Sequence, residues 1–177
     1  MMHESRIDIG HPLAFLRRWD LTDAESLAQY ANSRKIWRNV RDGFPHPYTV
    51  ADAEEWLEAG SRSDLFFALA TEREAIGGIG LHPQSDVYRL SAEIGFWLGE
   101  PYWNQGIMTR AVSVLSDLAF RDFRFVRLSA QVFAWNPASA RVLEKAGYQR
   151  EGTLRKGVLK DGHLIDCFLY GKLAPSA

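Results

Sequence analysis

The sequence predicts an α/β fold, a central mixed β-sheet of about seven strands flanked by helices. Three observations carry this prediction. Residues 64–98 hold three apolar or alternating runs in succession, which favours neighbouring antiparallel strands. A helical stripe then lies between two alternating runs, which favours a parallel β-α-β crossover near the middle of the chain. Two final runs are joined by "KDGH", whose Asp-Gly pair is typical of a hairpin turn.

The first half of the chain reads as a strand, two helices and three strands. A short apolar stretch opens at Leu13 and gives way to helical spacing through "LTDAESLAQYANSRKIWRNV", with Thr22 or Asp23 as the helix cap. The Gly- and Pro-containing stretch "RDGFPHPYT" ends that helix. A second helix is predicted from the capping Thr49 to Gly60. The three strands follow.

The second half alternates helices and strands. The stretch "GIMTRAVSVLSDLAFRDF" has apolar residues at helical spacing, and "RFVRLSAQVFAW" alternates as a strand. A shorter helix follows in "NPASARVLEKAGY", where Asn136 is the cap, Pro137 lies in the first turn and Gly147 ends the helix. The final hairpin completes the predicted order.

Composition narrows the class of protein. The 177 residues are about one domain, taken here as 1–177, and the net charge of -1 gives no reason to expect nucleic acid or a membrane surface as partner. One cysteine, Cys167, excludes an intramolecular disulfide and fits a reducing compartment. The N-terminus has no apolar core of signal-peptide length. We therefore expect a cytoplasmic protein.

The stretch "EPYWNQGIMTRA" joins the fourth predicted strand to the central helix. A helix N-terminus exposes unpaired N–H groups and a partial positive charge, and so binds phosphate. Gly106 has no Cβ and lets a ligand approach that backbone closely, although a lone glycine here often only makes the turn. Upstream, a strand stopped by Gly99 and Pro101 can diverge from its neighbour, which predicts a splay between strands 4 and 5. The backbone exposed near Phe96–Leu98 can then pair with an extended ligand.

Together with "NPASARVLEKAGYQREGTLRKGVLKDGHLIDCFLYGKL", the stretch "AEIGFWLGEPYWNQGIMTRAV" resembles the GNAT superfamily of acyl-CoA-dependent N-acetyltransferases. The branch it resembles most contains the ribosomal-protein-alanine/serine N-acetyltransferases. The resemblance covers roughly residues 13 to 172, is strongest after residue 91, and implies acetyl-CoA as acyl donor. We expect no metal. No group of His, Cys and Asp has metal-ligand spacing.

The resemblance assigns a set of residues to acetyl-CoA. The pantetheine lies along the strand end, the pyrophosphate on the helix start, Asn136 on the pantetheine arm, Ser139 near the thiol, and two basic residues near the adenosine phosphate. The set is Phe96, Trp97, Leu98, Gln105, Gly106, Ile107, Met108, Thr109, Asn136, Ser139, Arg141 and Lys145. Two positions depart from the family's phosphate motif, Trp103 and Met108. A third, Leu143, stands where many members carry a Tyr as general acid, which points to Ser139 for that role.

Acetyl transfer to an amine needs a base, donors for the oxyanion, and a proton or positive charge for the leaving thiolate. Glu93 is the predicted base, with a solvent-facing or Arg-paired carboxylate as the alternative. The Leu98 N–H is the predicted oxyanion donor. His82 and His163 are further candidate bases, because histidine is the usual base at neutral pH, but they lie outside the positions that the family uses. Cys167 is expected to be a buried structural thiol.

The acceptor amine is expected to bind at the loop between the two early helices. The predicted lining is Arg41, Asp42, Phe44, His46, Tyr48 and Trp103. The alternative is a Pro-rich connector in which Phe44 and Tyr48 are buried for packing. Two functions stay open at this point: an N-acetyltransferase acting on a protein N-terminus or a small amine, and a non-catalytic acyl-CoA-binding module. The family also suggests a homodimer.

Overall fold

The computed structural model describes residues 6–175. The strands are β1 Ile7–His11, β2 Ala14–Arg18, β3 Phe66–Ala70, β4 Ala75–Pro83, β5 Ser91–Leu98, β6 Arg127–Phe133, β7 Gln149–Lys160 and β8 His163–Leu173. The helices are α1 Ala24–Ala31, α2 Arg34–Trp37, α3 Val50–Gly60, α4 Ile107–Arg121 and α5 Pro137–Lys145. These elements confirm the predicted α/β class.

The strands form one mixed sheet in the order β1-β2-β3-β4-β5-β6-β8-β7. β5 pairs with β6 in parallel, as the crossover through α4 predicted, and the pairs run only from Ser91 with Arg127 to Glu93 with Ser129. β5 itself continues to Leu98. The sheet has eight strands where the sequence predicted about seven. The missed strand is β1, where the apolar alternation covers only Ile7 and Ile9 and is too short to be distinguished from a loop.

The chain divides into two compact units. The first holds the residues up to Gly80 together with Phe96–Ala111. In it, β2 and β3 pair antiparallel from Phe15 with Ala70 to Arg18 with Phe67. Its helices α1 and α3 bury an apolar cluster against this sheet, and Trp19, Leu27 and Leu57 are among its members.

The second unit holds Leu81–Gly95 and the residues from Val112 onward. β6 pairs antiparallel with β8 from Arg127 with Leu173 to Phe133 with Cys167. β7 and β8 form the long terminal hairpin, whose turn residues Asp161 and Gly162 both have positive φ, as the Asp-Gly signal predicted. Leu128 and Leu143 are fully buried in this unit.

The early helical region differs from the prediction in two ways. Asp20 caps a short 3-10 turn, Leu21–Asp23, that the sequence did not predict, with Asp23 closing a capping box. Asp23 lies at the N-cap position of α1, as one of the two expected residues, but its side chain makes no capping hydrogen bond there. The helix is also not continuous, because α1 ends at Ala31 and Ser33 starts α2 by accepting from the Ile36 N–H. Asn and Ser favour caps and turns because their side chains compete for backbone hydrogen bonds, and this outweighed the continuing apolar period.

The other helix ends agree with the sequence. Thr49 caps α3 in a capping box with Asp52, and α3 ends at Gly60. Asn136 caps α5, and Gly147 follows its end at φ +88°. None of the helices within residues 6–175 has the length and apolar character that crossing a bilayer requires.

Candidate active site

The end of β5 directs part of its backbone away from β4. The Gly99 N–H donates to the Ile76 carbonyl at 2.8 Å and the Gln84 N–H donates to the Ser91 carbonyl at 2.9 Å. Because hydrogen-bonded residues alternate along an antiparallel strand, the odd-numbered residues of β5 bond to β4. The N–H and C=O groups of Phe96 and Leu98 therefore point away from β4. This stretch has the direction that an extended amide ligand requires.

The turn after β5 is held by its own side chains. The Trp103 indole N–H donates to the Leu98 carbonyl at 2.6 Å, and the Gln105 side chain donates to the Pro101 carbonyl at 3.0 Å. Trp103, which departs from the family's phosphate motif, thus stabilises the turn in this protein. With the Leu98 carbonyl occupied, the Leu98 N–H is the group of that residue left for a ligand on the same side.

The start of α4 leaves backbone donors outside the helical ladder. The first helical hydrogen bond runs from the Arg110 N–H to the Gly106 carbonyl at 3.2 Å, so the N–H groups before it have no partner within the helix. Gly106 has φ +78°, and a Cβ built on it would have no other atom within 4 Å. Ile107 and Met108 are buried, with 1% and 7% exposed.

Strand β1 contacts the same helix start, which no pattern in the sequence predicted. The Arg110 guanidinium donates to the Gly10 carbonyl at 2.6 Å. The His11 Nε2 lies 3.2 Å from the Gln105 carbonyl oxygen. These contacts hold the residues on both sides of Gly106. They escaped prediction because they join positions about a hundred residues apart through a strand that was itself missed.

The side chain of Trp97 lies over a glycine pair of β4. A Cβ on Gly78 would meet the Trp97 indole nitrogen at 2.8 Å, and a Cβ on Gly77 would meet the Trp97 carbonyl oxygen at 2.6 Å. The Trp97 ring also packs edge-on against Phe44, with centroids 5.7 Å apart. Glycines at these two positions therefore let β5 and the Trp97 side chain approach β4 closely.

The predicted acceptor loop splits into exposed and buried residues. Arg41, Asp42 and His46 are exposed, and the His46 ring lies 5.7 Å from that of Trp37. Phe44 is half-buried against Tyr48, with centroids 4.8 Å apart. Tyr48 is 6% exposed, and burial followed by the nearby Asp52 carboxylate raises its pKa to about 12. Its placement favours the packing interpretation for Tyr48.

In the second unit, Asn136 and Ser139 form a reciprocal pair at the start of α5. The Asn136 Oδ1 accepts from the Ser139 N–H at 3.3 Å, and its Nδ2 donates to the Ser139 Oγ at 2.9 Å. The Ser139 hydroxyl is thus oriented as an acceptor toward Asn136 and keeps its own hydrogen to donate elsewhere.

The remaining predicted residues of the second unit lie on different surfaces. Arg141 and Lys145 are exposed on α5, whereas Leu143 is fully buried. Glu93 is half-buried on β5. Cys167 is fully buried, with its thiol 3.8 Å from the Gln131 Oε1, in agreement with a structural thiol. Among residues 6–175 no group of three or more His, Cys, Asp or Glu side chains is arranged to hold a metal ion.

Comparisons with known proteins identify a family. Residues 14–149 match the family model described as an acetyltransferase (GNAT) domain. The probable N-acetyltransferase YjcK of Bacillus subtilis is 34% identical over 84% of this chain and 87% of its own. The ribosomal-protein-serine acetyltransferase of Escherichia coli is 28% identical over 62% of this chain and 61% of its own.

A solved structure extends the likeness to the whole fold. The microcin C7 self-immunity acetyltransferase MccE, solved with acetyl-CoA and AMP, has a TM-score of 0.82 at 22% identity. The likeness covers 98% of each chain.

Proposed function

The chain belongs to the GNAT acetyltransferase family, and on that premise we propose that it is an acetyl-CoA-dependent N-acetyltransferase. The acetyl group passes directly to a primary amine in a ternary complex. The observation that carries the proposal is the start of α4, where Gly106 leaves open space in front of backbone N–H groups that the helix does not use. Such a helix start binds phosphate oxygens without needing a basic side chain.

Acetyl-CoA is proposed to bind through the backbone first. The N–H groups from Gln105 to Thr109 hold the pyrophosphate, and the pantetheine lies along Phe96–Leu98, where the outward groups of Phe96 pair with its amides. Asn136 and Ser139 complete the pantetheine end, while the exposed Arg141 and Lys145 reach the adenosine phosphate. All of these assignments come from the resemblance to the family. The assignments on β5 and at the start of α4 are also supported by their backbone groups, which no strand or helix hydrogen bond within residues 6–175 uses.

The chemistry assigns one role to each of three groups. Glu93 accepts the proton that the acceptor ammonium must lose before its nitrogen can attack the thioester carbonyl. The Leu98 N–H stabilises the oxyanion that forms on that carbonyl. The Ser139 hydroxyl donates its hydrogen to the CoA thiolate as the C–S bond breaks. The support for Ser139 is its acceptor contact with Asn136, which leaves the hydroxyl hydrogen available to another acceptor.

The acceptor is proposed to be a protein N-terminus or a small amine, bound at the loop of Arg41, Asp42, Phe44 and His46 with Trp103 beside it. We further propose a cytoplasmic location, which a single buried cysteine supports. A homodimer stays a prediction, which sedimentation velocity tests directly.

Calorimetric titration with acetyl-CoA tests the central assignment, with dephospho-CoA and ATP as comparison ligands. The sharpest variant is Gly106→Asp, which places a carboxylate in front of the helix start. Gly162→Asp is the matched control, because Gly162 has φ +75° and equally open surroundings in the terminal hairpin turn. The new carboxylate would lie a few Å from the pyrophosphate, and repulsion at that distance costs up to several kcal/mol of binding free energy. We therefore expect Gly106→Asp, but not the control, to lose at least tenfold in affinity, ~1.4 kcal/mol.

Equal affinity of the two variants would contradict the pyrophosphate assignment. Release of the CoA thiol is then measured with a panel of Ala- and Ser-initiated peptides, spermidine and amino acids. Turnover of one of these amines supports the transferase. Binding of acetyl-CoA with no turnover across the panel would favour the non-catalytic acyl-CoA-binding module.

A further inference from the structure

The register of β4 and β5 brings His82, which has no role in the proposed function, beside the proposed base Glu93. The hydrogen bonds from Gly99 to Ile76 and from Gln84 to Ser91 obey the same antiparallel register. Counting two residues along each strand from the second pair places His82 directly opposite Glu93. Residues so placed have their Cβ atoms about 5.5 Å apart on one face of the sheet.

The position of the imidazole ring agrees with this register. A Cβ built on Gly95 would lie 3.5 Å from the His82 Nε2 and 3.8 Å from its Cδ2. The ring therefore leans over the backbone of Gly95, which lies two residues beyond Glu93 and on the same face of β5. Because Gly95 carries no side chain, the ring rests there beside Glu93 and stays exposed to solvent.

We propose that His82 is a second proton-handling residue of the transfer reaction, paired across the strands with Glu93. The inference rests on the proposed function, since it needs an amine that must be deprotonated. An imidazole is neutral near pH 7 and changes charge over a narrow range around it, which suits a proton acceptor better than a lone carboxylate. The Glu93 carboxylate stabilises the imidazolium and orients the ring.

The proton balance is complete without a further reactant. The acceptor R–NH₃⁺ gives one proton to His82, and the free amine forms the C–N bond with the thioester carbonyl. The C–S bond breaks, and the departing thiolate takes a proton from Ser139, which recovers it from the nitrogen of the new amide. His82 then releases its proton to solvent. In this scheme His82 takes the accepting role that the proposed function gives to Glu93, and Glu93 remains ionised as the partner of the histidine.

Two measurements test the role. The first is the pH profile of CoA thiol release for wild type, His82→Gln and His82→Asn, using the best amine of the peptide, spermidine and amino-acid panel. For both His82 variants we expect kcat/KM at pH 7 to fall about a hundredfold, which is the lower end of the effect of removing a general base. The rise in rate with pH near the histidine pKa should also disappear. The Kd for acetyl-CoA should not change. His163→Gln is the matched control, because His163 is an exposed histidine of the same unit, at the first position of β8.

The second measurement follows the His82 ring by NMR titration in wild type and Glu93→Gln. Loss of the neighbouring carboxylate should lower the pKa of the imidazole, and an unchanged titration would overturn the pairing. A His82→Gln enzyme with wild-type rate and pH profile would overturn the catalytic role while leaving the transferase in place. A wild-type protein that binds acetyl-CoA but acetylates none of the amines would instead overturn the proposed function, and the role of His82 with it.

Discussion

Replacing Gly77 by alanine should separate β4 from β5 at the proposed pantetheine stretch. The new Cβ would lie 2.6 Å from the Trp97 carbonyl oxygen and 3.1 Å from the Leu98 Cα. Both are backbone atoms of a paired strand, so neither can turn aside as a flexible side chain would. Overpacking of this kind costs about 1–3 kcal/mol, and a backbone clash belongs at the upper end.

The net effect is smaller because alanine also restricts the unfolded chain. That restriction stabilises the folded state by about 0.4–1 kcal/mol, so we expect Gly77→Ala to lower the free energy of unfolding by about 2 kcal/mol. For a chain of this size the loss corresponds to roughly 4–8 °C in Tm. Urea unfolding at constant m-value measures it, and calorimetry with acetyl-CoA should show weaker binding because Trp97 and Leu98 must shift.

Gly152→Ala is the control, because a Cβ there would have only a methyl carbon of Leu169 at 4.0 Å. Gly152 also lies in a strand and has no positive φ, so the two variants differ mainly in the clash. If Gly77→Ala were as stable as Gly152→Ala, the close approach of β4 to β5 would not be a constraint on this site.

Three other outcomes are expected. Asn136→Ala should lower the free energy of unfolding by about 1 kcal/mol through loss of the cap, and it should also slow transfer. Asn136→Asp should keep the cap and lose only the contact with the Ser139 Oγ, so it should slow transfer without the loss of stability. Urea unfolding and turnover measure the two effects separately. Burial raises the pKa of Tyr148 to about 12, so the folded state holds that proton after the unfolded chain has lost it. Stability should therefore fall as the pH rises from about 10 to 12, by up to ~2.7 kcal/mol, and Tyr148→Phe should remove that part of the fall in urea midpoints. Arg17→Ala should lower the free energy of unfolding by about 3 kcal/mol, because it leaves the buried Asp23 carboxylate without its two 2.7 Å contacts with the guanidinium. Thermal unfolding measures this loss. A loss under ~1 kcal/mol would show that water replaces the guanidinium.

The sequence by itself determined the features that depend on near neighbours. Asn136, Pro137 and Gly147 set the two ends of α5, and Thr49 set the start of α3, because caps act through backbone groups within one turn. Likewise, Asp161 and Gly162 determined the terminal turn, because Asp and Gly tolerate the positive φ that both residues of this turn adopt. The resemblance of the stretches around Gly106 and Asn136 identified the family, which the comparisons confirm.

Only the tertiary structure decided which distant residues meet. β1 became visible through its pairing with β2 and its contacts at Gly10 and His11, since five residues carry too little periodicity to be predicted. The pairing that we propose for His82 and Glu93 likewise depends on strand register, and a shift of one residue would move either side chain to the other face of the sheet. Register is set by hydrogen bonds and packing between segments far apart in the chain. Patterns within one strand therefore predict its two faces, while the neighbour that each face receives is fixed only when the sheet forms.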